Sequence, residues 1–306
     1  MLRQLPQWNR ISLSSREAVF GYLFILPWLA GFLALRLGPM VASLFLSFTE
    51  YDIISPPEFI GIANYIKMFT DDPSFWDSLR VTLTYAIFAI PVGMALSLAI
   101  ALLLNQNVPG IALWRTIYYL PSVVSGVAVA MLWVWLFHSQ FGLFNLALSL
   151  IGIDGPAWLS DPDWALTALV IMSFWTIGGG MVVNLAGLQG IPTELYEAAS
   201  LDGANAWNRF WSVTLPMMSP VLFFNLIMGV IETFQYFTNA YVMTNGGPGR
   251  STLFYNLYLF QNAFRFYKMG YASALAWVML LLILALTLLI FKSSPYWVYY
   301  ESLRKK

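Results

Sequence analysis

The 306-residue chain contains no cysteine and one histidine, His138. Without thiols there is no disulfide and no thiolate metal site, and one imidazole cannot build a metal cluster. His138 ends an apolar run, where it reads as an ordinary interfacial residue rather than a ligand. Charge is equally scarce: Asp, Glu, Lys and Arg make up 10% of the chain, and 15 basic residues balance 15 acidic ones. A net charge of zero with no dense Lys/Arg cluster excludes nucleic acid as a partner. No Ser/His/Asp set, metal-ligand spacing or dinucleotide fingerprint is present, which argues against an enzyme. Gly249, Arg250 and Ser251 faintly suggest a phosphate loop, but that loop needs Lys at 250 and Gly at 244, where Thr stands.

What the chain does have is apolar length. Hydrophobic residues make up 59% of it, and the mean hydropathy is +0.69, too high for a soluble domain and right for one solvated by membrane lipid. Apolar runs over 18–48, 81–104, 117–137, 164–185, 217–242 and 271–291 each approach or exceed the roughly 20 residues that cross a bilayer. The sequence therefore predicts an all-α membrane protein of six transmembrane helices. Pro91 is expected to kink the second span, while the third contains Pro121 and Gly126. Gly178, Gly179 and Gly180 in the fourth suit close helix contact, or else a local break beside a cavity.

The charges orient the spans. Arg3, Arg10, Arg16, Arg115, Arg209 and the tail with Lys292, Arg304, Lys305 and Lys306 fall on one side, which the positive-inside rule makes cytoplasmic. The loops over 50–78 and 139–163 are acidic and external, with a short helix near 63–69. The loop over 243–270 dissents with Arg250, Arg265 and Lys268, but early helices usually set orientation. The expected organisation is a cytoplasmic N-terminus (1–17), a six-span body (18–291) with a cytoplasmic loop (187–216), and a cytoplasmic tail (292–306).

Within that loop, IPTELYEAASLDGANAWNRFWSVTLP (191–216) is polar among apolar neighbours. Pro192 suits the start of a short helix and Gly203 its end, at φ > 0. Trp207, Phe210, Trp211 and Thr214 recur at helical spacing, so a second short helix should follow and close at Pro216. Glu197-Ala198-Ala199, three residues, Gly203, nine residues, Val213, one residue, then Leu215-Pro216 resembles the "EAA" loop of permease subunits in bacterial ATP-binding-cassette importers, with Val213 for Ile the one departure. TNGGPGRST (244–252), Ala263-Phe264, GYASA (270–274), RTIYYLP (115–121) and Phe59, Gly61, Asn64 and Tyr65 resemble the carbohydrate branch, the maltose-type and glycerol-phosphate-type permeases.

That resemblance implies a sugar-import permease in the bacterial inner membrane with both termini cytoplasmic. It implies three kinds of partner besides lipid and the sugar: a second homologous permease, a cytoplasmic ATPase dimer and an extracytoplasmic sugar-binding protein. ATP and Mg would be bound by the ATPase, leaving this chain no cofactor. Glu197, Ala198, Ala199, Asp202 and Gly203 would couple to the ATPase. A permease for another solute, such as polyamine or phosphate, remains open, as do an ion-coupled secondary transporter and a purely structural subunit.

The sugar path is read from helical geometry. Asn225, Gly229, Glu232, Tyr236 and Asn239 are spaced by 4, 3, 4 and 3 residues, which places them within an arc of roughly 80° on one helix. Carboxylate and amide groups suit sugar hydroxyls and an aromatic ring suits sugar C–H faces. Ser173 and Trp175 in the fourth span are expected to complete the site. The alternative is that this stripe only packs against the partner permease.

Overall fold

The computed structural model describes residues 12–299. Arg3, Arg10, Arg304, Lys305 and Lys306, which carry part of the charge argument, lie outside them. The first span is a helix from α1 (Leu13–Phe32) through a π turn at Leu33–Leu37, which contains Arg36, into α2 (Gly38–Leu46). Its α2 end packs on the last span while the described side chains of α1 remain largely exposed, as lipid contact demands. A two-residue antiparallel pair, Thr49–Glu50 with Glu58–Phe59, then leads to α3 (Ala63–Thr70).

The second span, α4 (Pro73–Leu104), begins at Pro73 rather than at 81. The Asp72 carboxylate accepts from the backbone N–H of Ser74 at 3.0 Å and of Phe75 at 3.3 Å. Proline follows at the first helical position, where its missing donor is not needed. The charges that made this stretch read as a loop sit on the helix instead, with Asp77 paired to Arg250 at 3.0 Å.

The third span departs most from expectation. Instead of one helix over 117–137 there are two, α5 (Ile111–Val123) and α6 (Gly126–Leu136), bent by 95°. Pro121 cannot donate to the turn before it, and Val124 and Ser125 leave the helical region at ψ 142° and 129°. After α7 (Leu143–Leu150), the fourth span is also bent, by 46°, between α8 (Pro162–Ser173), continued by a 3₁₀ turn at Phe174–Thr176, and α9 (Gly178–Gln189). A Cβ on Gly178 would collide with the Tyr118 carbonyl oxygen, so α5 crosses α9 where only glycine fits. The glycine triplet thus serves close contact and also stands at the break.

α10 (Thr193–Leu201) and α11 (Ala206–Arg209) follow. Pro216 does not close α11, contrary to expectation. A π turn at Phe210–Thr214 carries the chain into α12 (Leu215–Phe234), because the wider i→i−5 pattern spares the bond that proline cannot make. α12 ends at Phe234, and the fifth span resumes as α13 (Thr238–Met243). The loop over 243–270 is not simply external surface. It folds α14 (Tyr255–Phe260) back into the core, where Phe254, Tyr255 and Leu257 are fully buried. The last span is α15 (Met269–Ser293).

Two hydrophobic clusters hold the body together. An aromatic cluster gathers Tyr85 from α4, Trp133 and Phe137 from α6 and its end, Trp158 from the turn before α8, and Phe254 and Tyr255 from the start of α14, with residues of α8 and α15. An aliphatic cluster gathers Leu98, Ala101, Met181, Leu185, Leu188 and Met218 from α4, α9 and α12, at the end where α10 and α11 lie. Gly187 permits that approach, since a Cβ there would fall 2.8 Å from Val221 Cγ2.

Candidate functional site: a polar cavity and an exposed loop

Between the two clusters, α4, α9 and α12 enclose a cavity of about 490 Å³, within the range of small-molecule sites. Asn225, Gly229 and Glu232 face it from α12, and Tyr236 and Asn239 from beyond that helix. All five stripe residues are thus brought together, although the helical arithmetic holds only to Phe234. The break at Gln235–Phe237 redirects the chain, and Tyr236 reaches the cavity by packing between Tyr85 and Phe254, with ring centroids 4.9 and 4.7 Å away.

Ser173 also lines the cavity, with its hydroxyl donating to the Val170 carbonyl at 2.6 Å. Trp175 does not line it. It is 50% exposed and meets Trp133 edge-on at 6.3 Å, because the 3₁₀ turn at 174–176 swings it away from the face that Ser173 occupies.

The ends of this cavity differ chemically. At the aromatic end, the Tyr236 hydroxyl and Asn239 Oδ1 are buried without any partner among the described residues. Such atoms cost about 1–3 kcal/mol each unless something else bonds to them. Glu232 is exposed, and among the described residues no Lys or Arg lines the cavity. At the aliphatic end every step is paired: Asn225 Nδ2 donates to Asn184 Oδ1 at 2.9 Å, Asn184 Nδ2 donates to Ser97 Oγ at 2.9 Å, and Ser97 Oγ donates to the Met94 carbonyl at 3.0 Å. Sequence reasoning missed Ser97, Asn184 and Tyr85. The available signal was an amide inside the otherwise apolar run after the glycine triplet.

The second candidate region is α10 with its turn. Glu197, Ala198, Asp202 and Gly203 are exposed and Ala199 half-buried, so the five expected coupling residues form one accessible ridge. Gly203 has φ +81°, and the Ala204 N–H returns to the Ala199 carbonyl at 2.9 Å, a left-handed helix end that Gly adopts without strain. The ridge is anchored beneath by Tyr196, whose hydroxyl lies 3.0 Å from Thr214 Oγ1, and by Arg209, which donates to Ser200 Oγ at 3.2 Å. Leu201 is 90% exposed and Trp207 67%. A rigid, apolar-tipped projection of this kind suits docking into a partner's cleft.

A third polar knot closes the aromatic end. The Asp72 carboxylate that caps α4 also accepts the hydroxyls of Tyr258 and Tyr271, tying α4, α14 and α15 together. Burial first, and then this carboxylate, push the Tyr258 hydroxyl's pKa well above its ordinary value, so it remains a donor throughout the physiological range.

The chain matches, over residues 89–294, the family of binding-protein-dependent transport system inner membrane components, and it belongs to that family. It is 47% identical over 291 residues to the probable ABC transporter permease protein YesP of Bacillus subtilis, covering 94% of each chain. It is 36% identical over 283 residues to the trehalose/maltose transport system permease protein MalF of Thermococcus litoralis, covering 92% of this chain and 95% of that one. Its fold matches a chain of the bacterial alginate ABC transporter solved in complex with an alginate pentasaccharide-bound periplasmic protein, with a TM-score of 0.80 at 24% identity over 91% and 95% of the two chains. The chain is therefore a multi-pass inner-membrane permease component.

Proposed function

We propose that this permease carries a saccharide through the α4/α9/α12 cavity and takes its energy from a separate cytoplasmic ATPase. The observation that carries the reading is the cavity itself: one polar stripe of amides, a carboxylate and a tyrosine, faced by apolar walls and containing unpaired hydrogen-bonding atoms. Uncharged polyols need such groups, whereas an anion such as phosphate would need the basic residues that this lining lacks. The cargo named for one relative, trehalose/maltose, agrees with it.

The complex would comprise a second homologous permease, two ATPase subunits gripping the α10 ridge and an external sugar-binding protein, with both termini of this chain in the cytoplasm. Closure of the ATPases on nucleotide would move α10 as a rigid body. Through the aliphatic cluster that motion would reach α9 and α12, opening the cavity alternately to the two sides. Uptake of radiolabelled saccharides into vesicles holding the complete complex, energised by ATP alone or by an ion gradient alone, tests this. Transport that follows the ion gradient and ignores ATP overturns it.

A further inference from the structure

The relay at the aliphatic end has a direction, and the direction fixes what the cavity wall offers. Ser97 has one hydroxyl proton, which is spent on the Met94 carbonyl at 3.0 Å. Toward α9 it can therefore only accept, so Asn184 must turn its NH₂ to Ser97 and its carbonyl to α12. That carbonyl in turn draws the NH₂ of Asn225, at 2.9 Å. Asn184 is 0% exposed and lies outside the cavity lining, while Ser97 and Asn225 both line it. What remains free is Asn225 Oδ1, which bonds to nothing among the described residues and is not among the buried atoms.

We infer that Asn184 is a positioning residue that turns the Asn225 carbonyl oxygen into the cavity as a fixed acceptor for a saccharide hydroxyl. A free asparagine presents its donor and acceptor ends about equally. The relay removes that choice, so the ligand meets an oriented acceptor with no reorientation cost. This goes beyond the sugar-path reading and rests on it.

The test uses the complete transporter in vesicles, with maltose, trehalose, lactose and short alginate oligomers as probes. The best-carried sugar is then used as parent, monodeoxy and monodeoxyfluoro forms. Asn225→Leu should raise the KM for uptake about five- to tenfold with the maximum rate unchanged, as expected for one lost hydrogen bond, and Asn184→Leu about twofold, since the freed Asn225 amide still presents its carbonyl about half the time. The double variant should match Asn225→Leu alone, because Asn184 has no acceptor left to orient once Asn225 is gone. Asn184→Asp should stay near the wild-type KM: buried and neutral, its O–H replaces the amide donor to Ser97 and its C=O still accepts from Asn225. At one hydroxyl position the wild type should discriminate against the fluoro form as strongly as the deoxy form, since C–F cannot donate, and Asn225→Leu should abolish that discrimination. Should the leucine variants fail to assemble, Ser97→Ala is read in the same way as Asn184→Leu, with a KM about twofold raised.

Unchanged KM with a reduced rate or reduced assembly would make the relay a helix clamp only and overturn the inference. Equal uptake of parent and fluoro forms would show that Asn225 presents its N–H instead, and overturns it too. If Glu232→Gln and Tyr236→Ala alter uptake while the relay variants do not, the relay assignment alone falls. If none of these variants matters, or the wild type carries no sugar tested, the path reading falls with it.

Discussion

The aromatic and aliphatic ends of this protein solve the same packing problem with opposite use of polar groups. At the aliphatic end Ser97, Asn184 and Asn225 satisfy one another across α4, α9 and α12. Methionine and leucine fill the remaining space, and Met181 and Met218 are fully buried. At the aromatic end, stacked rings leave the Tyr236 hydroxyl and Asn239 Oδ1 unpaired beside a cavity, while Asp72 collects two tyrosine hydroxyls behind them. The first network ties three helices together and leaves only Asn225 Oδ1 free toward the cavity. The second keeps bonding capacity for something that comes and goes. Under the proposed function the aliphatic end would lie nearer the motor, and cargo would meet bonding groups from both ends.

The largest way to break this comparison is at the α10 ridge. Gly203→Asp places a side chain at φ +81°, where L-residues are strained by about 1 kcal/mol or more. Nothing lies within 4 Å of a Cβ there, so folding should survive. ATP-driven uptake should be abolished while the protein still accumulates in the membrane, and normal uptake would remove the ridge's coupling role. Next comes the knot at the opposite end. Asp72→Ala removes a helix cap and the shared acceptor of Tyr258 and Tyr271, and should destabilise the protein by about 2–4 kcal/mol. Thermal unfolding in detergent measures it, and an unchanged midpoint would deny the knot a structural role.

A finer distinction comes from Tyr236→Phe. If the hydroxyl is held in reserve for a ligand, its loss should leave thermal stability equal or slightly raised, because an unpaired buried group disappears, yet raise the KM for sugar about threefold or more. Lower stability with unchanged KM would assign it to packing. The smallest expected effect is on activity itself, when single cysteines replace exposed serines to mark the two faces. The lack of native thiols makes this clean. Cysteines at Ser55 and Ser160 should react with an impermeant reagent from outside, whereas one at Ser200 should not, and all three variants should transport normally. Labelling at Ser200 in sealed, outside-out vesicles would reverse the proposed orientation.

The number of apolar runs, the glycine turn after α10 and the polar stripe on α12 follow from the chain alone, because each depends on local chemistry. Apolar length selects lipid as solvent, a left-handed turn selects Gly203, and helical periodicity gathers Asn225, Gly229 and Glu232. The membership of the permease family was legible in the spaced residues of the loop for the same reason. Tertiary structure decided what depends on distant partners. The third span's Pro121 marked a weak point, but the 95° angle itself and the crossing of α5 over α9 at Gly178 appear only in the tertiary structure. The Asp77 side chain on the first turns of α4 meets Arg250, remote in sequence. Tyr236 reaches the cavity through rings at 85 and 254, and Trp175 misses it because a 3₁₀ turn rotates it out. No window of sequence could align Ser97, Asn184 and Asn225, since hydrogen bonds between helices are set by how the helices pack.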